Sequence, residues 1–302
     1  MTANHRLTLM TVHAHPDDET IGTGGTMARA VTDGHRVVLV TGTRGELGEI
    51  VVPAMDTPEN HRRLGEIRAG ELEAAMGELG VTEWENLGYR DSGMMGDAGN
   101  RDPRNYWQAN LDEAIGRLVW LVRRYQPDVM TTYNDFGGYG HPDHIRTHLV
   151  AVGAFARAGD ADAYPEQLGE GGVEPWAPSK LYEQAFSTRQ REGMNERMRQ
   201  LGQRSFWLPP EDATPEQLAE HAAFLARATV SEEAITTRVD VAREVDQKWA
   251  AIHRHVTQIS SESPFMLMGM DGWREFWSTE AYVLRETRVP TSTPETDLFA
   301  GL

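Results

Sequence analysis

Cysteine is absent from the 302-residue sequence, and this absence excludes several kinds of site at once. Without a thiolate the chain forms no disulfide, offers no cysteine nucleophile and binds no zinc or iron–sulfur cluster through sulfur. Any metal must therefore be held by nitrogen and oxygen atoms, for which the sequence offers 11 histidines and 46 acidic residues.

Long apolar runs and positive charge are also scarce. No segment approaches the ~18 consecutive apolar residues that a membrane-spanning helix needs, and residues 1–10 are too short and too mixed for a signal peptide. With 29 basic against 46 acidic residues the formal net charge is −17, which argues against binding to nucleic-acid phosphates. We expect a soluble cytoplasmic protein that neither inserts into membranes nor binds nucleic acid, while homo-oligomers stay open.

Strand and helix patterns alternate through the first half of the chain. Apolar, β-branched segments predict strands at 7–12, 36–41, 84–87 and 128–133. Apolar residues at helical spacing predict helices at 21–32, 59–80, 107–125 and 143–158. This alternation is typical of βαβ units, so we predict an α/β fold with a Rossmann-like, mostly parallel sheet flanked by helices.

The second half of the chain is less regular. A further strand is predicted at 180–186, two or three helices between 189 and 258, and a polar surface arm at 289–302. We therefore predict a Rossmann-like, metal-binding catalytic domain over 1–159. Residues 160–302 are expected to form a smaller mixed C-terminal region that completes the sheet and the substrate pocket.

Two histidine–proline–aspartate segments carry the chemistry: H-A-H-P-D-D-E at 13–19 and H-P-D-H at 141–144. Each follows a predicted parallel strand, and ligands of such sheets bind at the carboxyl ends of the strands. The proline keeps the preceding histidine extended and is suited to the first position of a helix. Two such triplets among only 11 histidines indicate a metal site rather than a pair of coincidental turns.

Three of these side chains are candidate metal ligands, namely His15, Asp18 and His144. Imidazole and carboxylate without thiolate suit Zn²⁺ or Fe²⁺, and a catalytic zinc takes three protein ligands and leaves a position for water. Asp17 lies next to the proposed ligand Asp18 and is placed to act as general base on a metal-activated water.

The remaining polar residues of the second motif are candidates for transition-state stabilisation. His141 precedes His144 by three residues and, if protonated, can stabilise an oxyanion or donate a proton to a leaving amine. Asp143 can accept a hydrogen bond from the His141 imidazole and hold its charged form.

At these residues the sequence resembles a known family. A-H-P-D-D-E and G-G-Y-G-H-P-D-H are similar to the motifs of the LmbE-like/PIG-L zinc-dependent N-deacetylases, which act on N-acetylglucosamine attached to a small polar group. The sequence resembles most the branch of mycothiol conjugate amidases and N-acetylglucosaminyl-inositol deacetylases. The stretches that resemble the amidases are P-A-M-D at 53–56, T-T-R-V at 236–239, H-x-T-Q at 255–258 and P-E-T-D-L-F-A-G at 294–301.

The resemblance implies the same metal ligands, base and oxyanion-stabilising pair as the residues themselves suggest. It adds a mobile tyrosine, matched by Tyr139, and three substrate contacts, matched by Glu49, Arg68 and Asp91. The chain departs from the amidases at Gly22, where they carry a lysine near the substrate. This departure favours simple deacetylation.

These features together predict a zinc-dependent amide hydrolase that removes the N-acetyl group from a small glucosamine-containing glycoconjugate, with Fe²⁺ as the other metal that suits the site. A mycothiol-type S-conjugate amidase is the alternative within the family. Because two histidines and a carboxylate also match non-haem iron oxygenases, that class stays open. A sugar-binding protein without catalysis, stabilised by its metal, is the fourth reading.

Overall fold

The computed structural model describes residues 6–169, 172–205 and 207–302, so residues 1–5 of the N-terminal segment discussed above lie outside it. Its strands are β1 Thr8–His13, β2 Arg36–Thr41, β3 Glu83–Asn86, β4 Val129–Thr132, β5 Lys180–Ala185, β6 Thr237–Asp240 and β7 Thr279–Thr287. Its helices are α1 Asp18–Thr32, α2 Pro58–Arg62, α3 Leu64–Leu79, α4 Leu111–Tyr125, α5 Gly137–Gly140, α6 Pro142–Arg157, α7 Thr188–Gln200, α8 Pro215–Ala228, α9 Val245–Ile252, α10 Pro264–Leu267 and α11 Gly269–Phe276. None of the described helices has the length and apolar character needed to cross a membrane.

All seven strands belong to one sheet with the order β3-β2-β1-β4-β5-β7-β6. The first five strands in this order are parallel, whereas β7 runs antiparallel to both β5 and β6. The predicted Rossmann-like, mostly parallel sheet is confirmed. The chain turns from β1 to β2 on one side and reaches β4 on the other, so the carboxyl ends of β1 and β4 form the switch point where such sheets bind ligands.

The central strands are buried on both faces, as the apolar runs predict. All six residues of β1 are buried. Met10 and Val12 pack into an apolar cluster with α4 and α6, while Leu9 packs into a second cluster with α1 and α3 on the opposite face. This two-sided packing fixes the positions of the loops that leave β1 and β4.

Local sequence sets the start of the helix that carries the second motif. Pro142 occupies the first turn of α6, where its missing N–H costs no hydrogen bond. His141 caps the helix, because its Nδ1 accepts the backbone N–H of Asp143 at 3.1 Å. His144 therefore lies in the first turn of a capped helix, at a defined height above the sheet.

The predicted helix at 59–80 is interrupted at Arg63, whose φ of −112° and ψ of 11° separate α2 from α3. Helix α2 buries no residue, whereas Leu64 at the start of α3 is 1% exposed. The break thus lets α3 pack on the sheet while α2 stays at the surface. The predicted strand at 180–186 and three helices between residues 188 and 252 are confirmed, but β6 and β7 were not predicted.

The interpretation of 289–302 as a surface arm is wrong, because part of this tail is buried against β5. Leu298 is 1% exposed, and the Glu295 carboxylate accepts from Lys180 Nζ at 2.5 Å and from the Tyr182 hydroxyl at 2.7 Å. Both members of the ion pair are buried. Strands β5, β6 and β7 extend the sheet of residues 1–159, and Glu295 of the tail forms a single bridge with Thr237 on β6. The boundary at 159/160 stays a prediction.

Replacing Glu295 with Ala should destabilise the fold strongly. The variant leaves the Lys180 ammonium buried without its carboxylate, a change that typically lowers the free energy of unfolding by about 3–5 kcal/mol. Urea denaturation followed by circular dichroism measures this loss. Glu196→Ala is the control, because the pair of Glu196 with Arg199 is exposed and its removal should leave the midpoint unchanged. Equal midpoints for the two variants would contradict the buried-pair interpretation.

Candidate active site

The two histidine–proline segments meet above the switch point between β1 and β4. His15 Nδ1 lies 3.4 Å from Asp18 Oδ2, Asp18 Oδ2 lies 3.2 Å from His144 Nε2, and the two ring nitrogens are 3.3 Å apart. Asp18 and His144 are 126 residues apart in the sequence, yet their donor atoms and that of His15 converge on one point.

This triangle of His15, Asp18 and His144 has the dimensions of a metal site. Tetrahedral bonds of about 2.0–2.1 Å place neighbouring ligand atoms about 3.3–3.4 Å apart, and the three observed separations are 3.2–3.4 Å. Three lone-pair donors at this distance repel one another unless a metal ion or a proton lies among them. The donor set therefore fits a divalent metal with a position left for water or substrate.

Hydrogen bonds at the opposite ring nitrogens orient both histidines. His15 Nε2 lies 3.3 Å from Asp143 Oδ2, and His144 Nδ1 lies 3.1 Å from the Gly137 carbonyl oxygen. These acceptors keep the imidazole protons on the outer nitrogens. The inner nitrogens, His15 Nδ1 and His144 Nε2, thereby keep lone pairs that can bind a metal.

The charges around the triangle favour a cation. Burial lowers the pKa of His15, but the carboxylates of Asp91, Asp143 and Asp18 outweigh this and raise it well above its ordinary value. Burial raises the pKa of Asp18, but His144 and His15 outweigh this and hold it well below its ordinary value. Without a metal the cluster therefore retains a proton, which a metal ion would displace.

His141 also lies at this cluster, since its ring nitrogen is within 4.8 Å of the donor atoms of His15 and His144. Its Nδ1 already accepts the Asp143 backbone N–H, so the proton of the neutral ring lies on Nε2. Burial and the neighbouring histidines lower its pKa, which keeps the ring neutral. His141 is therefore arranged as a neutral hydrogen-bond donor, and Asp18 completes the ligand triangle better.

Asp143 contacts a different imidazole from the one suggested by the sequence. Its carboxylate faces His15 Nε2, and it also accepts from the backbone N–H of Ser92 at 2.9 Å and from the Ser92 hydroxyl at 2.5 Å. Through its backbone N–H, rather than its carboxylate, Asp143 bonds to His141. The geometry thus places Asp143 where it orients His15, a predicted metal ligand.

Tyr133 is a residue of the site that sequence reasoning missed. Its hydroxyl donates to Asp18 Oδ2 at 2.9 Å and accepts the Ala14 N–H at 2.9 Å, and its ring stacks on His144 with centroids 4.3 Å apart. Burial raises the pKa of this phenol well above its ordinary value, so it stays a donor. Its position at the end of a predicted strand, just before the second motif, was the available signal.

Asp17 does not belong to the triangle of donor atoms. Its carboxylate Oδ2 lies 3.3 Å from Arg68 Nη2. Burial raises the pKa of Asp17 to about 6, although the Arg68 guanidinium opposes this shift. Its backbone has φ 110° and ψ −35°, a strained conformation for a residue with a Cβ, which costs on the order of 1–3 kcal/mol. The backbone N–H of Asp17 donates to Glu19, and Glu19 contacts His255. Neither residue was assigned a role from the sequence.

Tyr139 lies at the open side of the cluster. Its hydroxyl is 3.5 Å from His144 Nε2, and the residue is 43% exposed. Gly138 and Gly140 on either side have φ of 75° and 91°, conformations that favour glycine. Tyr139 thus lies between two conformationally permissive residues, at the solvent-exposed edge of the cluster.

The three predicted substrate contacts lie at the same end of the sheet in different environments. Arg68 is 3% exposed, and its guanidinium donates to the carbonyl oxygens of Pro16 and Gly45. Asp91 is also buried, with Oδ1 3.7 Å from His15 Nε2. Glu49 is exposed on the loop after β2. Arg68 is therefore committed mainly to the protein itself, and Glu49 faces solvent.

Gly22, where the conjugate amidases carry a lysine, lies beneath a side chain from β5. A Cβ built on Gly22 would lie 2.1 Å from Gln184 Oε1. Gln184 therefore occupies the space that a longer residue at this position would take, and a lysine here would require it to move.

Comparison with known proteins agrees with the motifs. Residues 10–155 match the family described as PIG-L, GlcNAc-PI de-N-acetylase. The chain is 41% identical over 310 residues to 1D-myo-inositol 2-acetamido-2-deoxy-alpha-D-glucopyranoside deacetylase of Geodermatophilus obscurus, and the match covers 100% of this chain and 99% of that protein. The chain belongs to the PIG-L family. The predicted family membership is confirmed.

Solved structures with the PIG-L fold include more than one chemistry. N,N'-diacetylchitobiose deacetylase from Pyrococcus horikoshii aligns with a TM-score of 0.61 and 19% identity, covering 92% of this chain and 83% of that one. GalB, the 4-carboxy-2-hydroxymuconate hydratase from Pseudomonas putida KT2440, aligns with a TM-score of 0.59 and 18% identity, covering 95% of this chain and 99% of that one. At these identities the likeness shows the fold alone, so the reaction must be argued from the site and from the full-length relatives.

Two variants should distinguish the predicted metal ligands of this PIG-L protein from its predicted base. His144→Ala deletes one corner of the donor triangle and should lose bound metal. Asp17→Asn keeps all three donor atoms and should retain it. Metal analysis of both purified variants after dialysis against a weak chelator measures the difference. Equal metal content in the two variants would contradict the assignment of ligands.

Proposed function

We propose that this PIG-L protein is a zinc-dependent deacetylase that hydrolyses the acetamide of an N-acetylglucosamine joined to inositol. The observation that carries this proposal is the donor triangle of His15, Asp18 and His144 with a separate carboxylate, Asp17, beside it. The full-length relative in G. obscurus supports the substrate class, because its name specifies a 2-acetamido sugar attached to inositol.

Zinc suits this donor set of two imidazoles and one carboxylate. A zinc ion held by His15, Asp18 and His144 would lower the pKa of a bound water to about 7 and polarise the amide carbonyl. The same ligands also suit Fe²⁺, so metal analysis of the purified protein decides between the two.

The chain's own residues then account for the movement of protons. Asp17 takes a proton from the attacking water, for which its raised pKa of about 6 gives sufficient basicity near neutral pH. His141, a neutral donor through Nε2, stabilises the negative charge that develops on the amide oxygen. Asp17 returns its proton to the departing nitrogen as the C–N bond breaks. Water and the acetamide are thereby converted to acetate and a free amine.

Substrate recognition is proposed for the loops after β2, β3 and β4. The carboxylates of Glu49 and Asp91 can accept hydrogen bonds from sugar hydroxyls. Arg68 retains one buried guanidinium nitrogen, Nε, without a partner among the described residues. Tyr139 can place its hydroxyl against the amide oxygen, because the glycines beside it permit movement. The cytoplasmic location stays a prediction from composition, and the sequence leaves the oligomeric state open.

The substrate assay also tests the alternatives. The purified, zinc-loaded protein is given three substrates, each with and without oxygen: N-acetylglucosaminyl-inositol, free N-acetylglucosamine, and a glucosaminyl-inositol whose amide-linked acyl group carries an S-conjugated thiol. We expect equimolar acetate and amine from the inositol conjugate. A requirement for oxygen would favour an oxygenase, cleavage of the thiol conjugate alone would favour an amidase, and binding without any turnover would favour a sugar-binding protein.

Asp17→Asn should lower kcat by about 10²–10⁴-fold, the usual contribution of a general base. The asparagine preserves the size of the side chain but cannot accept a proton. Steady-state release of amine from the inositol conjugate measures kcat and KM. Unchanged turnover in a variant with full metal content would remove Asp17 from the mechanism.

The rate should depend on pH through the same residue. Because burial raises the pKa of Asp17 to about 6, the carboxylate is protonated and inactive below that pH and ionised above it. We therefore expect kcat/KM to rise as the pH increases through about 6. Metal content is measured at the lowest pH used, so that loss of metal is not mistaken for protonation of the base. A profile that is flat across this range contradicts the assignment.

A further inference from the structure

The backbone of Asp17 adopts a conformation that its own residue type does not favour. Two other described residues besides glycine have positive φ, Gln126 and Tyr164, and both lie in the ordinary left-handed region with φ of 50–52° and ψ of 54°. Asp17, at φ 110° and ψ −35°, lies outside it. Such a conformation persists only where the surroundings hold it in place.

Hydrogen bonds hold the backbone on both sides of Asp17. Its N–H donates to Glu19 Oε2 at 2.9 Å, and its carbonyl oxygen accepts the Ile21 N–H at 3.1 Å within α1. The preceding carbonyl oxygen, that of Pro16, accepts from Arg68 Nη2 at 2.5 Å. Among the described residues, the Glu19 carboxylate is thus the side chain that accepts the N–H of the proposed base.

Glu19 is itself fixed by a residue from the far end of the chain. It is fully buried, and its second oxygen, Oε1, accepts from the Thr20 hydroxyl at 2.7 Å and from His255 Nε2 at 3.0 Å. His255 is fully buried as well. A buried carboxylate needs such partners, so removal of His255 would leave Glu19 poorly compensated and free to turn away from Asp17.

His255 lies in the H-x-T-Q turn that follows α9, and this turn is anchored on the ligand side of the sheet. The Thr257 N–H and hydroxyl donate to the two carboxylate oxygens of Glu71 on α3, each at 2.7 Å. Gln258 Nε2 donates to the Glu49 carbonyl oxygen at 2.9 Å. The turn is therefore rigid where it meets Glu19.

We propose that Glu19 and His255 are positioning residues that hold the general base of the reaction, a role that rests on the proposed function of Asp17. Neither is assigned a contact with the substrate or the metal. The C-terminal region thereby acts on the reaction through the His255 imidazole, which fixes the Glu19 carboxylate. This carboxylate in turn fixes the peptide N–H of Asp17 and hence the direction of its side chain.

His255→Ala should lower kcat about 10–100-fold, the scale expected when a reacting group is displaced by about 1 Å. KM and metal content should stay unchanged, because the substrate loops and the donor triangle are intact. His255→Gln should recover most of the rate, since its amide N–H can replace the imidazole donor to Glu19. Glu295→Ala is the control, because it breaks a buried ion pair elsewhere and should not lower kcat at a temperature where it is folded.

Glu19→Leu gives a second test in case His255→Ala does not fold. A leucine fills a similar volume but has no acceptor for the Asp17 N–H, so kcat should fall at least 10-fold with metal retained. Full kcat in folded Glu19→Leu, or equal rates for His255→Ala and the parent, would overturn the proposal.

A double-mutant cycle distinguishes positioning of the base from a general loss of structure. If His255 acts through Asp17, adding His255→Ala to Asp17→Asn should cause no further loss of rate. A loss that multiplies with that of Asp17→Asn would overturn the positioning role. If Asp17→Asn alone retains full activity, the proposed function of Asp17 fails instead, and the two failures are thereby separated.

Discussion

Mutual repulsion among three closely spaced donor atoms, relieved by a shared proton or by a metal ion, is the constraint on which the arrangement of this site depends. His15, Asp18 and His144 come within 3.4 Å of one another because two turns leave neighbouring strands at the switch point of a parallel sheet. The buried strands keep the turns from separating. Tyr133 contacts Asp18 and Asp143 contacts His15, so two of the three donor side chains are held in place. The spacing of these three donor atoms therefore favours the binding of a metal ion.

Two adjacent carboxylates acquire opposite properties from their surroundings. Interaction with His144 and His15 holds the pKa of Asp18 well below its ordinary value, whereas burial raises the pKa of Asp17 to about 6 despite the nearby guanidinium of Arg68. One carboxylate is therefore a permanent anion suited to a metal, and its neighbour can accept and release a proton near neutral pH. The environment, rather than the residue type, separates the two roles.

Features encoded locally could be predicted from the sequence, whereas long-range polar partnerships could not. The apolar runs of β1, β2 and β4 and the two proline-initiated motifs are short-range patterns, and they predicted the parallel sheet and the place where the motifs meet. Glu19 and His255 are 236 residues apart, and Lys180 and Glu295 are 115 apart. Each of these residues alone resembles a surface charge, because nothing in its neighbourhood identifies the partner that allows it to be buried. For the same reason the tail was misjudged as an exposed arm.

The positive φ of Asp17 has a consequence for how this chain can be improved. A glycine at this position would adopt the same backbone without a clashing Cβ and would release strain on the order of 1–3 kcal/mol. Selection for heat resistance alone would therefore favour a substitution that removes the proposed general base. Stability and turnover thus compete at a single residue, and laboratory evolution of a hardier enzyme would have to screen for both.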